Sequence, residues 1–201
     1  MQIKAIIVDV GGVLVQSLDT SKRREWEVTL HLLPGQLTSI VFSEELGRSA
    51  TVGAITSEDI WRDIQDKFVL SDEAIMQLRT DFYVGSKVNV PFFTYIQSLK
   101  GKYKTIILSD AWDDARAVYT QKFHLDTIVD RMFISAEEGI SKSDPQFLQI
   151  ALDYLGTNCE ETIYIDDTVM CIRLAKDRGL QTILFTDTKT AIGKMEALLG
   201  E

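Results

Sequence analysis

Cysteine is scarce in this 201-residue chain: there are two, Cys159 and Cys171, and they form no CxxC pair. No group of Cys and His has the spacing of a zinc site, and a reduced compartment is the simple expectation. Long apolar runs are missing as well. None reaches the ~20 residues that a membrane helix requires. The N-terminus carries no basic stretch leading into an apolar one, as a secretory signal would. Positive charge is also in short supply, with 21 Lys and Arg against 30 Asp and Glu and a net charge of −9. A surface of that sign attracts neither nucleic acid nor an anionic membrane. A phosphate substrate stays open, because a pocket can differ in sign from the whole. Repeats and low-complexity tracts are absent. Together these absences predict a soluble, cytoplasmic protein with neither nucleic acid nor membrane as partner. Length allows one domain, or one domain carrying a smaller insert, and 45% hydrophobic residues suffice for a sizeable core.

What is present is organised around residues 3–13. Residues 3–8 are apolar apart from Lys4 and mostly β-branched, and read as a buried strand. Asp9 ends the run, followed at once by Gly11 and Gly12. A carboxylate at the tip of a buried strand is costly unless something compensates it, and a cation would. The glycines remove side chains where the backbone turns, so that a ligand could approach the main chain. An Asp that merely caps a turn is the plainer alternative, and the rest of the chain has to decide between them.

Residues 21–33 suggest a helix, with Trp26, Leu30 and Leu33 on one face; residues 36–46 are a weaker helical stretch, and 48–54 a polar connection. Thr56 and Asp59 have the spacing of a capping box ahead of Ile60, Trp61, Ile64 and Phe68. Ser71 caps a further helix bearing Ile75, Leu78 and Phe82. Pro91 suits the first turn of the next helix, whose buried face holds Phe92, Ile96 and Leu99. From there strands and helices alternate. Strands are predicted over 105–108, 132–134, 162–165 and 181–185. Helices are predicted over 113–123, from Pro145, up to Arg178 with Gly179 as its stop, and around Ile192, Met195 and Leu199. Residues 135–143 read as a loop. This alternation predicts an α/β fold, a Rossmann-like parallel five-stranded sheet flanked by helices. An ordinary crossover takes a dozen or more residues, yet far more separate the first two strands. Residues 16–88 are therefore expected to be an inserted α-helical cap domain, and 1–15 with 89–201 the core. In open α/β sheets the carboxyl edge, where this insertion starts, is also where ligands bind.

A parallel sheet would bring one set of residues to that edge. Asp9 follows the first strand, Ser109 the second, Lys142 lies beyond the third, and Asp166 and Asp167 follow the fourth. Crowded carboxylates repel unless a divalent metal sits among them, and oxygen-only ligation favours Mg²⁺. Lys and a Ser hydroxyl suit a phosphoryl group. A carboxylate can attack phosphorus to form an aspartyl-phosphate, and a metal would neutralise the repulsion between the two.

The constellation resembles the haloacid dehalogenase-like hydrolase superfamily across nearly the whole chain. The residues that carry the resemblance are 8–14 (VDVGGVL), 108–110 (LSD), 139–145 (GISKSDP) and 165–167 (IDD). It implies a Mg²⁺-dependent hydrolase of a small phosphorylated metabolite, a sugar phosphate being one example, acting through an aspartyl-phosphate. Asp9 would be the nucleophile. Asp9, the Gly11 carbonyl, Asp166 and Asp167 would serve the metal. Ser109 and Lys142 would hold the phosphate, with Gly11, Gly12 and Asp110 around the substrate, and the cap would choose it.

Three positions depart from the family pattern. Gly11 stands where most family phosphatases have a second Asp as general acid and base. Asp110 stands where relatives have Asn, adding negative charge beside the expected phosphate. Cys171 stands where relatives often have Asn, and reads as a small buried hydrophobe. Two alternatives follow: a carbon–halogen hydrolase of the same fold, which would leave Asp166 and Asp167 unexplained, and a catalytically weakened binding or regulatory member. A phospho-acceptor receiver domain uses similar residues, but its acid pair belongs after the first strand.

Overall fold

Strand β1 (Ala5–Val8) is the centre of the molecule, because none of its four residues could face water without loss and all are fully buried. The computed structural model describes residues 2–43 and 45–200. After β1 the chain forms β2 (Val15–Ser17) and then five helices: α1 (Ser21–Thr29), α2 (Gln36–Ser43), α3 (Glu45–Thr51), α4 (Ser57–Phe68) and α5 (Asp72–Val84). It returns through β3 (Ser86–Val88) and α6 (Val90–Leu99) to β4 (Lys104–Ser109). Next come α7 (Ala115–Ala117), which runs on into a π turn over 118–122, β5 (Arg131–Ile134), α8 (Ser135–Glu138) and α9 (Pro145–Leu155). The chain ends with β6 (Thr162–Asp166), α10 (Val169–Asp177), β7 (Gln181–Leu184) and α11 (Thr188–Leu199).

The five long-range strands form one parallel sheet in the order β5-β4-β1-β6-β7. Val8 pairs with Ile107 on one side and Ile165 on the other, while Ser109 pairs with Ile134 and Asp166 with Leu184. That register brings Asp9, Ser109 and Asp166 to one edge. The strands alternate cleanly between two apolar layers, as a pleat requires. Ile6, Val8, Ile163 and Ile165 face α6 and α11, whose Phe92, Ile96 and Met195 are buried there. Ala5, Ile7, Ile106 and Leu108 face α9 and α10, through Phe147, Ala151, Leu155 and Ala175. Burial on both faces is why these strands read as continuous apolar runs.

The insertion between β1 and β4 has its own core of Leu37, Val41, Ile60, Trp61, Ile64, Leu78 and Phe82. Thr56 and Asp59 close the capping box on α4, and the Ser71 hydroxyl accepts from the Ala74 amide at the start of α5. The insertion leaves and rejoins the sheet through the antiparallel pair β2–β3, in which Val15 faces Val88. Asn89 sits at that joint. Its amide nitrogen donates to the Val13 carbonyl at 3.1 Å, its side-chain oxygen accepts from the Phe92 amide, and its own backbone amide donates to the Leu14 carbonyl at 2.8 Å.

Several local expectations change. The stretch 48–54, read as a connection, begins within helix α3, which runs on to Thr51. Its weak local signal is overridden by packing: a side chain on Gly47 would come within 2.6 Å of the Val41 carbonyl, so glycine lets α2 and α3 meet closely. The helix expected over 21–33 stops at Thr29. Leu33 is exposed, and Arg23 and Glu27 take the buried face instead, each with a backbone partner, Phe82 O and Leu37 N. The loop 135–143 begins with α8, which ends at Gly139 with φ 72°. The pair β2–β3 has no sequence signal, being two three-residue strands of mostly polar residues. Glu44, within the weak helix expected over 36–46, lies outside the described residues.

Candidate active site

Asp9 continues β1 by one residue, its amide donating to the Ile165 carbonyl at 3.0 Å, and its side chain is held by the Val10 amide at 2.7 Å. The loop after α8 delivers Lys142 to the same place. Its ammonium lies 2.6 Å from Asp9 Oδ1 and 2.8 Å from Asp166 Oδ2, and all three side chains are buried. Asp166 is further fixed by the Tyr164 hydroxyl and the Thr168 amide, each donating at 2.7 Å. Asp167 is exposed and accepts from the Thr168 hydroxyl at 3.3 Å. The structure thus brings Asp9, Lys142, Asp166 and Asp167 together.

Charge in this cluster is unbalanced. Burial raises the Asp9 carboxyl to about 7, with Lys142 pulling it down and Asp166 pushing it further up. Burial and the neighbouring Asp166 raise Asp167 as well. Burial alone would push the Lys142 ammonium down, but Asp9 and Asp166 outweigh it and hold it above the usual lysine range. One ammonium, paired with Asp9 and Asp166, therefore stands against three carboxylates.

The two glycines differ. Gly12 has φ 75°, and a side chain there would occupy the place of the Asp167 carboxylate. Gly11 has nothing within 4 Å of where a side chain would start. Glycine at 12 is thus demanded by the close approach of Asp167, while glycine at 11 leaves open space.

Ser109 and Asp110 diverge as successive residues of a strand should. Ser109 is buried, and its hydroxyl shares a hydrogen bond of 3.0 Å with the Tyr119 hydroxyl. Asp110 accepts from the Lys142 backbone amide at 2.8 Å. A carboxylate that reads in the sequence as surplus charge beside a phosphate therefore holds the loop that carries Lys142. Burial raises its carboxyl above the usual range. Cys171 packs on α10 against the sheet, its thiol pushed up to about 12 by burial.

Sequence reasoning missed Tyr119, Tyr164, Thr168 and Asn89. Tyr164 has a period-two signal, since it shares a strand face with Asp166. Tyr119 has none; it reaches Ser109 only because the chain folds back through the π turn.

Asp9, Asp166 and Asp167 offer carboxylate oxygens that all lie within 4.8 Å of one another, a set that could hold a metal ion. The donor chemistry fits a hard divalent cation. The excess of carboxylate over ammonium and the room that Gly12 leaves for Asp167 fit one equally well. A chamber of about 780 Å³ adjoins this cluster, walled by Gly11, Gly12 and Asp110 on the sheet side and by Phe42, Arg79 and Tyr83 of the insertion.

A parallel α/β core, carboxylates at the tips of two adjacent strands and a helical insertion over the carboxyl edge define a class of hydrolase. A family profile described as haloacid dehalogenase-like hydrolase matches residues 3–179, and the chain belongs to that family. Bifunctional epoxide hydrolase 2 of Sus scrofa is 26% identical over 225 residues, which cover 100% of this chain and 39% of that protein. This chain thus spans well under half of that relative's length. Among solved structures, a HAD-like family hydrolase from Porphyromonas gingivalis superposes with a TM-score of 0.81 at 20% identity, covering 100% of both chains. A HAD-family enzyme from Bacteroides thetaiotaomicron, solved with magnesium and inorganic phosphate, has a TM-score of 0.75 at 19% identity, covering 92% of this chain and 94% of that one. These likenesses show the fold. No described helix is long and apolar enough to cross a membrane.

Proposed function

We propose that the protein is a Mg²⁺-dependent phosphatase that hydrolyses a small phosphorylated metabolite through an aspartyl-phosphate on Asp9. The observation that carries the reading is the Asp9, Asp166 and Asp167 cluster, three carboxylates within 4.8 Å with the Lys142 ammonium on two of them. The Bacteroides enzyme of the same fold, with its magnesium and phosphate, supports it. A carbon–halogen hydrolase would need Asp9 but would leave the convergence of Asp166 and Asp167 without a purpose.

Each residue has a task in this reading. An Asp9 carboxylate oxygen attacks phosphorus; the new P–O bond forms as the ester P–O bond breaks, and the departing alkoxide takes up a proton. Water then attacks phosphorus, which releases inorganic phosphate and returns Asp9 to its carboxylate. Lys142 holds Asp9 and Asp166 apart from mutual repulsion and presents charge to the phosphate. The Ser109 hydroxyl, positioned by Tyr119, donates to a phosphate oxygen. Magnesium among Asp9, the Gly11 carbonyl, Asp166 and Asp167 would supply the charge that offsets the repulsion between carboxylate and phosphate. Residues 16–88 form the cap domain over a core of 1–15 and 89–201, a division supported by the separate apolar core of the insertion and its narrow attachment at β2–β3. A cytoplasmic setting belongs to the same reading, supported by two unpaired thiols.

The deciding experiment is turnover of p-nitrophenyl phosphate with Mg²⁺ and after exhaustive EDTA treatment. Hydrolysis that requires the metal and disappears in Asp9→Asn is the expected result. Activity that survives EDTA in full would overturn the metal-dependent reading.

A further inference from the structure

Resting on the phosphatase reading, we infer that the substrate is the phosphate monoester of an apolar alcohol or phenol, whose organic group fills the chamber beside Gly11. A phosphate alone needs little of about 780 Å³, a size that suits a drug-sized ligand. The chamber is continuous with Gly11 and Gly12 at the reacting end, and its far walls decide what else can enter.

Those walls have few polar groups to offer. Arg79 is committed to Glu58 and to Asp114, at 2.9 and 3.2 Å, so that acid and base in the wall neutralise each other. Arg23 donates to the Phe82 carbonyl and the Ser17 hydroxyl and lies over the Phe82 ring. The Thr51 and Thr80 hydroxyls donate to their own helices, to the Gly47 and Met76 carbonyls. Asp110 is engaged by Lys142 and Tyr119 by Ser109. A sugar ring entering here would exchange water for walls that mostly have their hydrogen bonds already, and each unmatched hydroxyl would be penalised. Val15, Phe42, Trp112, Val118 and Phe123 give the walls their apolar surface, and Lys122, whose ammonium lies 5.2 Å from the Phe123 ring centroid, and Tyr83 line the chamber beside them. Phe42 is 43% exposed and Trp112 stands 5.3 Å from it, centroid to centroid, an aromatic pair at the chamber wall. Apolar surface on a ligand gains by leaving water for such walls.

The test uses aryl phosphates whose phenol leaving groups are of nearly equal acidity: phenyl phosphate and its para-ethyl, para-butyl and para-octyl derivatives, with para-(2-hydroxyethyl)phenyl phosphate as the polar control. The natural protein with Mg²⁺ should show kcat/KM rising up to about fourfold per added methylene, then levelling once the chamber is full. The hydroxyethyl ester should fall below the ethyl ester. Val118→Asn and Phe42→Ser should each reduce the ratio of octyl to phenyl ester severalfold. A flat or falling series, with phenyl phosphate still hydrolysed, overturns this inference and leaves the phosphatase reading standing. No Mg²⁺-dependent hydrolysis of any ester in the series overturns both. The comparison within the natural protein decides the matter even if the variants fail to fold.

Discussion

The Lys142 ammonium stands 2.6 Å from Asp9 Oδ1 with both side chains buried, so neither residue can be changed without unbalancing the other. Asp9→Asn keeps shape and hydrogen bonding, and should retain the fold while lowering turnover by more than about a thousandfold, as loss of a nucleophile does. Lys142→Met leaves Asp9 and Asp166 facing each other without their cation. Removing one partner of a buried ion pair costs about 3–5 kcal/mol. Urea unfolding should show that loss in EDTA, with partial recovery in millimolar Mg²⁺. Equal stability of the two variants in EDTA would contradict the shared-cation account.

Gly12→Ala should damage the metal set rather than the core. Its φ of 75° strains any side chain, and its new Cβ displaces the Asp167 carboxylate. Strain of this kind costs about 1–3 kcal/mol. The Mg²⁺ concentration for half-maximal activity should rise at least severalfold, while kcat for Asp167→Ala at saturating metal falls in parallel. An unchanged Mg²⁺ requirement in Gly12→Ala would remove Asp167 from the ligand set.

Gly11 has the opposite character, open space and an ordinary backbone, so Gly11→Asp should fold normally. No acid at this position can protonate the leaving group, and a general acid is worth roughly 10²–10⁴-fold. The natural protein should therefore turn over p-nitrophenyl phosphate and glucose 1-phosphate faster than glycerol phosphate, and Gly11→Asp should narrow the gap. Equal kcat/KM for all three esters in the natural protein would assign the acid to another residue.

The two thiols should react at different rates. Burial pushes Cys171 up to about 12, so at pH 8 only about one molecule in 10⁴ carries the reactive thiolate there. An aromatic disulfide reagent should label Cys159 first in the native protein and both on unfolding. Stability has a matching sign. The folded thiol sits above its unfolded value of about 8.5, so the folded state disfavours the thiolate, and this contribution falls as pH climbs from that value toward 12. Cys171→Ala should flatten the alkaline loss. Rapid labelling of two thiols at pH 8 in the native state would contradict the burial.

Trp112 belongs to the chain between β4 and α7, yet it packs into the core of the insertion with Leu37, Val41 and Phe82. Around it, Asp113 accepts from the Ser57 amide at 2.8 Å and Asp114 pairs with Arg79. Trp112→Ala should cost about 3–5 kcal/mol, read from urea unfolding. Amide exchange should accelerate in α4 and α5 more than in β1 and β6. Uniform acceleration across the sheet would mean that the insertion has no separate attachment through Trp112.

Much of the fold was legible because its information is local or periodic. Strands buried on both faces have to be largely apolar, and the runs at 5–8, 105–108 and 162–165 are, with Thr105 and Thr162 as buried polar exceptions at their starts. Helix starts announce themselves when the cap is a side chain close in sequence, as at Thr56, Ser71 and Asp144. The candidate site was legible for the same reason. Once the strands are parallel, a carboxylate just past each apolar run must reach the same edge, and Asp9, Asp166 and Asp167 need no further information to be brought together.

Tertiary structure decided what depends on residues far apart in the chain. Helix α3 forms because Gly47 and Ala50 let it sit against α2, against the local preference of its own residues. Arg23 and Glu27 are buried because backbone groups of other elements, at Phe82 and Leu37, receive them. Asp110 became a brace for the Lys142 loop through a hydrogen bond across 32 residues, and Tyr119 reached Ser109 through a turn of the chain that no periodicity announces. The character of the chamber was decided there too. Its lining in sequence includes Arg, Asp and Thr, and the pairing of Arg79 with Asp114 across the fold, with Thr51 bonded to its own helix, leaves more apolar surface for a ligand to touch than that composition suggests. Periodicity and strand-end position act within a few residues and survive in the sequence. The partner that satisfies a buried polar group is set by three-dimensional proximity, so the sequence by itself does not contain it in readable form.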